Sequence, residues 1–374
     1  MLAPACNDRE PGAHAAFGAF GGPGTMAAMP SFTRYPDLAS RDLAGSVVSA
    51  NDELFAPRQN LIMPLPAVHA ADEFGHTGKV YDGWETRRRR EPGHDWAVVQ
   101  LGVPGIVHGV VIDTAFFKGN FPPYVSVEAT SVEGYPPPAE LADATWETLV
   151  PKSPAQGDTE NLYSVDHPGR WTHVRLTIYP DGGVARFRVH GEVVLDPRFL
   201  TSTVDLIALE NGGRLLETSD AFYSSPSNLI LPSRARLMGE GWENARRRGP
   251  GNDWAVFALG VPGEPTMIEI DTSYFIGNAP GSVRVQMADA SASSLDSRGA
   301  WWDVVPKTPV LVDTRHRFLV AERRLATHLR LDVFPDGGLT RLRCFGEIPD
   351  AVRATLQDRL LASLPETHRK QLSN

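Results

Sequence analysis

Two cysteines in 374 residues leave almost nothing from which to build a disulfide framework: Cys6 stands in a stretch rich in Ala, Gly and Pro, and Cys344 in an expected strand. That scarcity makes a reducing cytoplasm the expected compartment. No stretch approaches the ~20 uninterrupted apolar residues that cross a bilayer, so no membrane association is expected. Positive charge is in short supply as well. The 36 Lys and Arg against 45 Asp and Glu give a net charge of −9, which argues against nucleic acid as a partner. No G-x-S-x-G elbow, P-loop or dinucleotide fingerprint stands in a strand-turn-helix context, which removes the serine-hydrolase, kinase and dehydrogenase readings. HxxxH and CxxC patterns are missing too. His69, Asp72, Glu73 and His76 can be drawn as a loose cluster, but the second half of the chain has no counterpart, so no metal ligand is assigned and a divalent ion stays open.

What the chain does have is a duplication. Gly83, Trp84, Glu85, Arg88, Arg89, Arg90, Gly93, Asp95 and Trp96 return as Gly241, Trp242, Glu243, Arg246, Arg247, Arg248, Gly251, Asp253 and Trp254. The register continues through Asp113, Thr114, Phe117, Gly119 and Asn120, matched by Asp271, Thr272, Phe275, Gly277 and Asn278. It reaches Asp181, Gly182 and Gly183, matched by Asp336, Gly337 and Gly338. Repeats of this length are whole domains and not the shorter units of a solenoid. The expected organisation is a disordered leader over 1–30, domains over 31–199 and 200–348, and a helical tail over 349–374.

Strand signals dominate both copies. Segments 97–101, 107–114, 125–129, 173–179 and 184–190 are short, rich in β-branched or aromatic residues, and bounded by Gly and Pro. Helical spacing appears only at Val352, Leu356, Leu360 and Leu361. The pattern predicts an all-β chain of two tandem jelly-roll β-sandwiches and a short C-terminal helix. Tyr179-Pro180-Asp181-Gly182-Gly183 reads as a tight hairpin turn. A hairpin would set Arg175 opposite Arg188 and Arg330 opposite Arg343, and such like-charge pairs need either acidic neighbours or a bound anion.

The arginine block is the main candidate for chemistry, because the planar guanidinium fork grips a carboxylate through two parallel hydrogen bonds. Asp113 and Asp271 sit at strand ends, where a carboxylate either orients a ligand or caps the following turn. Lys118 and Asn120 add a cation and an amide beside Asp113. His94, Lys118 and His190 occur only in the first copy, replaced by Asn252, Ile276 and Phe345. An imidazole suited to proton transfer near neutral pH therefore favours the first copy as the catalytic one.

Asp82 to Arg89, the string Gly93-His94-Asp95-Trp96, and Asp113 to Asn120 together resemble the signature stretches of the allantoicase (allantoate amidinohydrolase) family. The resemblance covers residues 31–348, both copies included. It implies jelly-roll domains similar to galactose-binding folds, a homo-oligomer, and hydrolysis of allantoate to ureidoglycolate and urea in allantoin and purine catabolism. Allantoate carries a carboxylate and two ureido groups on one carbon, and water has to reach either that carbon or a ureido carbonyl. On this reading Arg88 and Arg90 hold the carboxylate, Asp113 and Asn120 orient a ureido arm with Lys118 a further substrate-binding candidate, and Glu85 or Asp95, helped by His94, shuttles protons. Glu243, Arg246, Arg248, Asp253, Asp271 and Asn278 are the corresponding substrate-binding candidates in the second copy. The alternative is a tandem module that binds a small acid or a carbohydrate without catalysis, with Trp84, Trp96, Trp242 and Trp254 as aromatic platforms.

Overall fold

A computed structural model of the chain describes residues 30–69, 73–76, 78–365 and 369. All but the last residue of the expected leader lies outside the described residues, as do Cys6 and Asp72. The first copy contains β1 (Ser46–Ala50), β2 (Asp95–Asp113), β3 (Tyr124–Thr130), β4 (Glu147–Pro154), β5 (Glu160–Ser164), β6 (Arg170–Tyr179) and β7 (Arg186–Val193). The second contains β8 (Arg214–Thr218), β9 (Asp253–Asp271), β10 (Ser282–Ala288), β11 (Trp301–Pro309), β12 (Arg315–Leu319), β13 (Ala326–Phe334) and β14 (Arg341–Glu347). All ladders between these strands are antiparallel.

Each copy is a jelly-roll sandwich organised by its long strand. The first half of β2 lies between β1 and β6, and β6 continues to β3 and β4. Its second half lies between β5 and β7 in the opposite sheet. The second copy repeats the plan with β8, β9, β13, β10 and β11 facing β12, β9 and β14. The two segments expected separately at 97–101 and 107–114 are thus one strand that changes sheet at Gly102–Gly105, where its register with β6 shifts. Pro104 has no N–H to give to a ladder, and its carbonyl instead accepts from Val194 N at 3.0 Å.

Between the sheets, alternating side chains of β2, β3, β6 and β7 form one core that includes Val99, Ile112, Val127, Leu176, Phe187 and Val189. A separate core around Phe257, Ile270, Val285, Leu331 and Leu342 fills the second sandwich. The helix Asp350–Ser363 leaves the second copy and returns to the first: Leu360 and Leu364 bury against Val194, and Arg359 pairs with Glu192 at 2.7 Å. Leu361, expected on its apolar face, is 39% exposed, and Leu364 takes the buried place. No helix among the described residues is long and apolar enough to cross a membrane.

The hairpin expectation is corrected. β6 and β7 do not pair; each pairs with a different half of β2, so Tyr179–Ala185 is a corner that carries the chain from one sheet to the other. The apolar faces of β6 and β7 look at each other across the core instead of lying side by side, which is what burying both of them requires. Arg175 and Arg188 therefore never meet. Arg175 binds Glu128 on β3 at 2.7 Å, and Arg188 reaches Asp37 and the Pro64 carbonyl. In the second copy Arg330 binds Asp332, and Arg343 reaches Asp205 and Pro232 O. Acidic and carbonyl neighbours satisfy these arginines, and no anion is needed there.

The corner passes beneath a loop with no room for side chains. A Cβ on Gly183 would lie 2.0 Å from the Phe117 ring, and one on Gly182, where φ is +142°, would lie 2.8 Å from Asn120 O. Gly183→Ala should therefore lower stability by about 1–3 kcal/mol, the usual cost of overpacking, read as a lower urea midpoint at unchanged m-value; an unchanged midpoint would show that the corner has slack.

Candidate functional site

Asp95 pairs with Ile178 and Asp113 with Arg186, so both ends of β2 lie beside the corner. Three segments are laced together there. Gly183 pairs with Glu85, Thr86 N donates to Gly182 O at 3.1 Å, and Gly183 N donates to Asn120 O at 2.7 Å. The corner thereby brings loop 84–90 and loop 117–122 to a common point. The result is a hydrogen bond from Asn120 Nδ2 to Glu85 Oε1 at 2.7 Å, between residues 35 positions apart. In the second copy Gly338 N donates to Asn278 O at 2.8 Å, and Asn278 Nδ2 donates to Glu243 Oε1 at 2.9 Å.

The arginine block divides by alternation. Arg87 pairs with Asp52, and Arg89 reaches inward to Asp95 Oδ1 at 2.6 Å. Arg88 and Arg90, on the other side of the chain, are exposed and make no hydrogen bond or ion pair among the described residues. The second copy does the same: Arg247 pairs with Asp253, while Arg246 and Arg248 stay exposed and line a cleft of about 440 Å³. Glu243, Asn244, Asn278, Tyr223 and Asp336 share that cleft. Two cations without internal partners face a carboxylate already tied to an amide, an arrangement fitted to an acid with polar arms.

Several expected site residues are placed elsewhere. Asp95 is 1% exposed, its Oδ1 shared by Arg89 and by Asn51 at 2.8 Å; Asp253 is likewise buried under Arg247 and Ser219. Both anchor the loop and are withdrawn as proton shuttles or ligand contacts. Asp113 Oδ1 accepts from Ala115 N at 2.8 Å, and Asp271 accepts from Ser273 N at 2.9 Å, so both cap the turn after the strand. Burial pushes the Asp113 carboxyl up, against the pull of Arg186 and Arg188. Lys118 is exposed and pairs with Asp158 at 3.6 Å. His94 is exposed, its ring tilted against Tyr179 at 5.4 Å, and it makes no hydrogen bond to Glu85. Trp84 and Trp242 are fully buried, with indole N–H groups on Asp52 O and Asp220 O, so they are core and not binding platforms. Among the described residues no three His, Cys, Asp or Glu side chains gather as a metal site.

Glu85 is the site carboxyl with a perturbed titration: burial raises it above the ordinary glutamate range, and the Asn120 hydrogen bond only partly offsets this. Sequence reading missed Asn244, and it took Asp181 and Asp336 for turn residues only. Asp181 accepts from Arg89 N at 2.8 Å and Asp336 from Arg247 N, fixing each middle arginine from the corner side. Their repetition in both copies was the available signal.

The inner and outer arginines should separate experimentally. Arg89→Ala leaves Asp95 buried without its cation and should cost about 3 kcal/mol, whereas Arg88→Ala should change stability by less than ~0.5 kcal/mol. Thermal melts of the two variants make the comparison, and equal losses would contradict the division.

The family model described as the allantoicase repeat matches residues 36–194 and again 204–349, one match for each sandwich. A probable allantoicase of Streptomyces coelicolor is 48% identical over 342 residues, covering 88% of this chain and 89% of its own. One from Nocardia farcinica is 50% identical over 321 residues, covering 85% and 95%. The crystal structure of allantoicase from Saccharomyces cerevisiae superposes with a TM-score of 0.73 at 35% identity, covering 83% of this chain and 93% of that one. With both copies matched by the repeat and relatives aligned over most of their lengths, the chain belongs to the allantoicase family.

Proposed function

We propose that this chain hydrolyses allantoate to ureidoglycolate and urea at the arginine-rimmed end of each sandwich. The observation that carries the reading is that Arg246 and Arg248, without partners among the described residues, line the same cleft as the hydrogen-bonded Glu243–Asn278 pair. The family membership and the equivalent Glu85–Asn120 pair support extending it to the first copy.

Atom balance fixes which bond breaks. Urea leaves intact, so the bond lost is the one between the central carbon and a ureido nitrogen. Water delivers its hydroxyl to that carbon and a hydrogen to the nitrogen. Attack at the ureido carbonyl would give an amine and a carbamate instead. A ureido nitrogen leaves poorly unless it is protonated as the bond stretches. Glu85 suits that step: burial favours its protonated form, and with Oε1 accepting from Asn120, Oε2 is left to carry the proton. Glu243, whose Oε1 accepts from Asn278 in the same way, is the equivalent carboxyl of the second copy by geometry. The outer arginines grip the carboxylate and hold the central carbon against the Glu–Asn pair, supplying orientation rather than proton transfer. The cytoplasm is the proposed compartment, supported by the free buried thiol of Cys344. A homo-oligomer is supported by Phe222 and Ile276, each 71% exposed beside cleft residues Tyr223 and Gly277.

Glu85→Gln and Glu243→Gln should each remove one site's share of urea release, and the double variant should lose at least about 10²-fold in kcat; a double variant turning over at the wild-type rate removes these glutamates from the chemistry. With Glu243→Gln leaving only the first cleft, the rate should fall as pH rises through the raised Glu85 pKa, because the acid form is the donor. The same raised pKa means that ionised Glu85 weighs against the fold: the relative stability it gives is present at low pH and is lost as pH rises through the folded-state value. Glu85→Gln should therefore melt no lower than the wild type at neutral pH. Urea release is expected to survive a chelator, and a loss restored by added divalent ion would assign part of the proton or substrate handling to a metal.

A further inference from the structure

Asn244 is 6% exposed and lines the second cleft, yet its Nδ2 has no hydrogen-bond partner among the described residues. A buried amide N–H without an acceptor is costly and uncommon in a folded protein. The orientation of the amide is settled by the chain itself: Gly337 N donates to Asn244 Oδ1 at 2.9 Å, so the other end of the amide has to be the donor. In the first copy this position is Thr86, whose hydroxyl accepts from Gly182 N at 3.2 Å and contacts Gly182 O at 3.5 Å. Threonine meets the need of the corner completely and leaves no donor over. Asparagine meets the same need and has one to spare. The corner alone therefore does not account for Asn244.

We propose that Asn244 is a specificity-determining residue of the second cleft, donating from Nδ2 to the carbonyl oxygen of a ureido arm while Arg246 and Arg248 hold the carboxylate. The inference rests on the reading of this cleft as the allantoate site. It makes the two copies unequal: the second cleft reads a ureido oxygen through a buried amide, and the first does so without one. Placing the donor beside the Glu243–Asn278 pair brings the arm that leaves next to the group that protonates it. Asn244→Thr rebuilds the geometry of the first copy, so a purely structural role for Asn244 predicts no change in binding.

The test uses the full chain carrying Arg88→Ala and Arg90→Ala, so that titration reports the second cleft. The probes are N-carbamoylglycine, which has one ureido arm and a carboxylate, and glycolate, which keeps the carboxylate and lacks the arm. Calorimetric titration should show Asn244→Thr weakening N-carbamoylglycine by about 10-fold, the loss of one hydrogen bond to the ligand, with glycolate unchanged and the melting temperature equal or higher. Unchanged affinity for N-carbamoylglycine overturns the role of Asn244. Equal weakening of both acids also overturns it, since the donor would then serve the carboxylate. If the parent protein binds neither acid while its Arg246→Ala variant behaves identically, the assignment of the cleft itself fails. The converse exchange, Thr86→Asn in an otherwise wild-type chain, should tighten N-carbamoylglycine in the first cleft, giving a second reading that does not depend on how well Asn244→Thr folds.

Discussion

The backbone pairing of a glycine corner with the two loops that cross it is the constraint on which the site depends. Gly182 and Gly183 give their peptide groups to Thr86, Glu85 and Asn120 in one copy, and Gly337 and Gly338 do the same for Asn244 and Asn278 in the other. Because the contacts to Glu85 and Asn120 run through main-chain atoms, they hold these two residues together without using either side chain. The carboxylate and amide are then free to meet each other and a ligand. Preorganisation of this kind keeps the site from spending binding energy on ordering its own loops.

Electrostatics divides the arginines by the same economy. A guanidinium that pairs with a buried aspartate is a structural element, since removing either partner strands the other charge in a poorly solvated place. Arg89 with Asp95 and Arg247 with Asp253 belong to that class, and they stretch each loop so that its outer arginines face away from the core. Arg88, Arg90, Arg246 and Arg248 are exposed to solvent. A chain with net charge −9 thus presents a local cationic rim on each sandwich, which is where the proposed function places the small acid.

Duplication has kept the scaffold more strictly than the cleft walls. The long strand, the corner, the Glu–Asn pair and the buried Arg–Asp pair are common to both copies, while Thr86 and Asn244, Lys118 and Ile276, and His94 and Asn252 differ. The shared set holds the loops in place, and of the differing residues Asn244 lines the second cleft, while Lys118 and Asn252 pair with Asp158 and Asp332.

The amino-acid sequence by itself determined the doubling, the all-β class and the repeated arginine-rich string, because period-two burial, Gly and Pro punctuation and a repeated polar string are local and survive without coordinates. The hairpin reading of Tyr179–Ala185 failed because the turn residues fit both a hairpin and a sheet-changing corner; only packing two apolar faces against each other across a core selects the corner. For the same reason Asp95 and Asp113 looked like ligand groups. A carboxylate in a string of residues does not show whether it faces a cleft or a buried guanidinium, and burial is a property of the whole fold. Tertiary structure decided which arginines were left without partners, which glutamate met which asparagine, and that Asn244 has a donor left over, since each of these depends on atoms that segments far apart in the chain bring within 3 Å of one another.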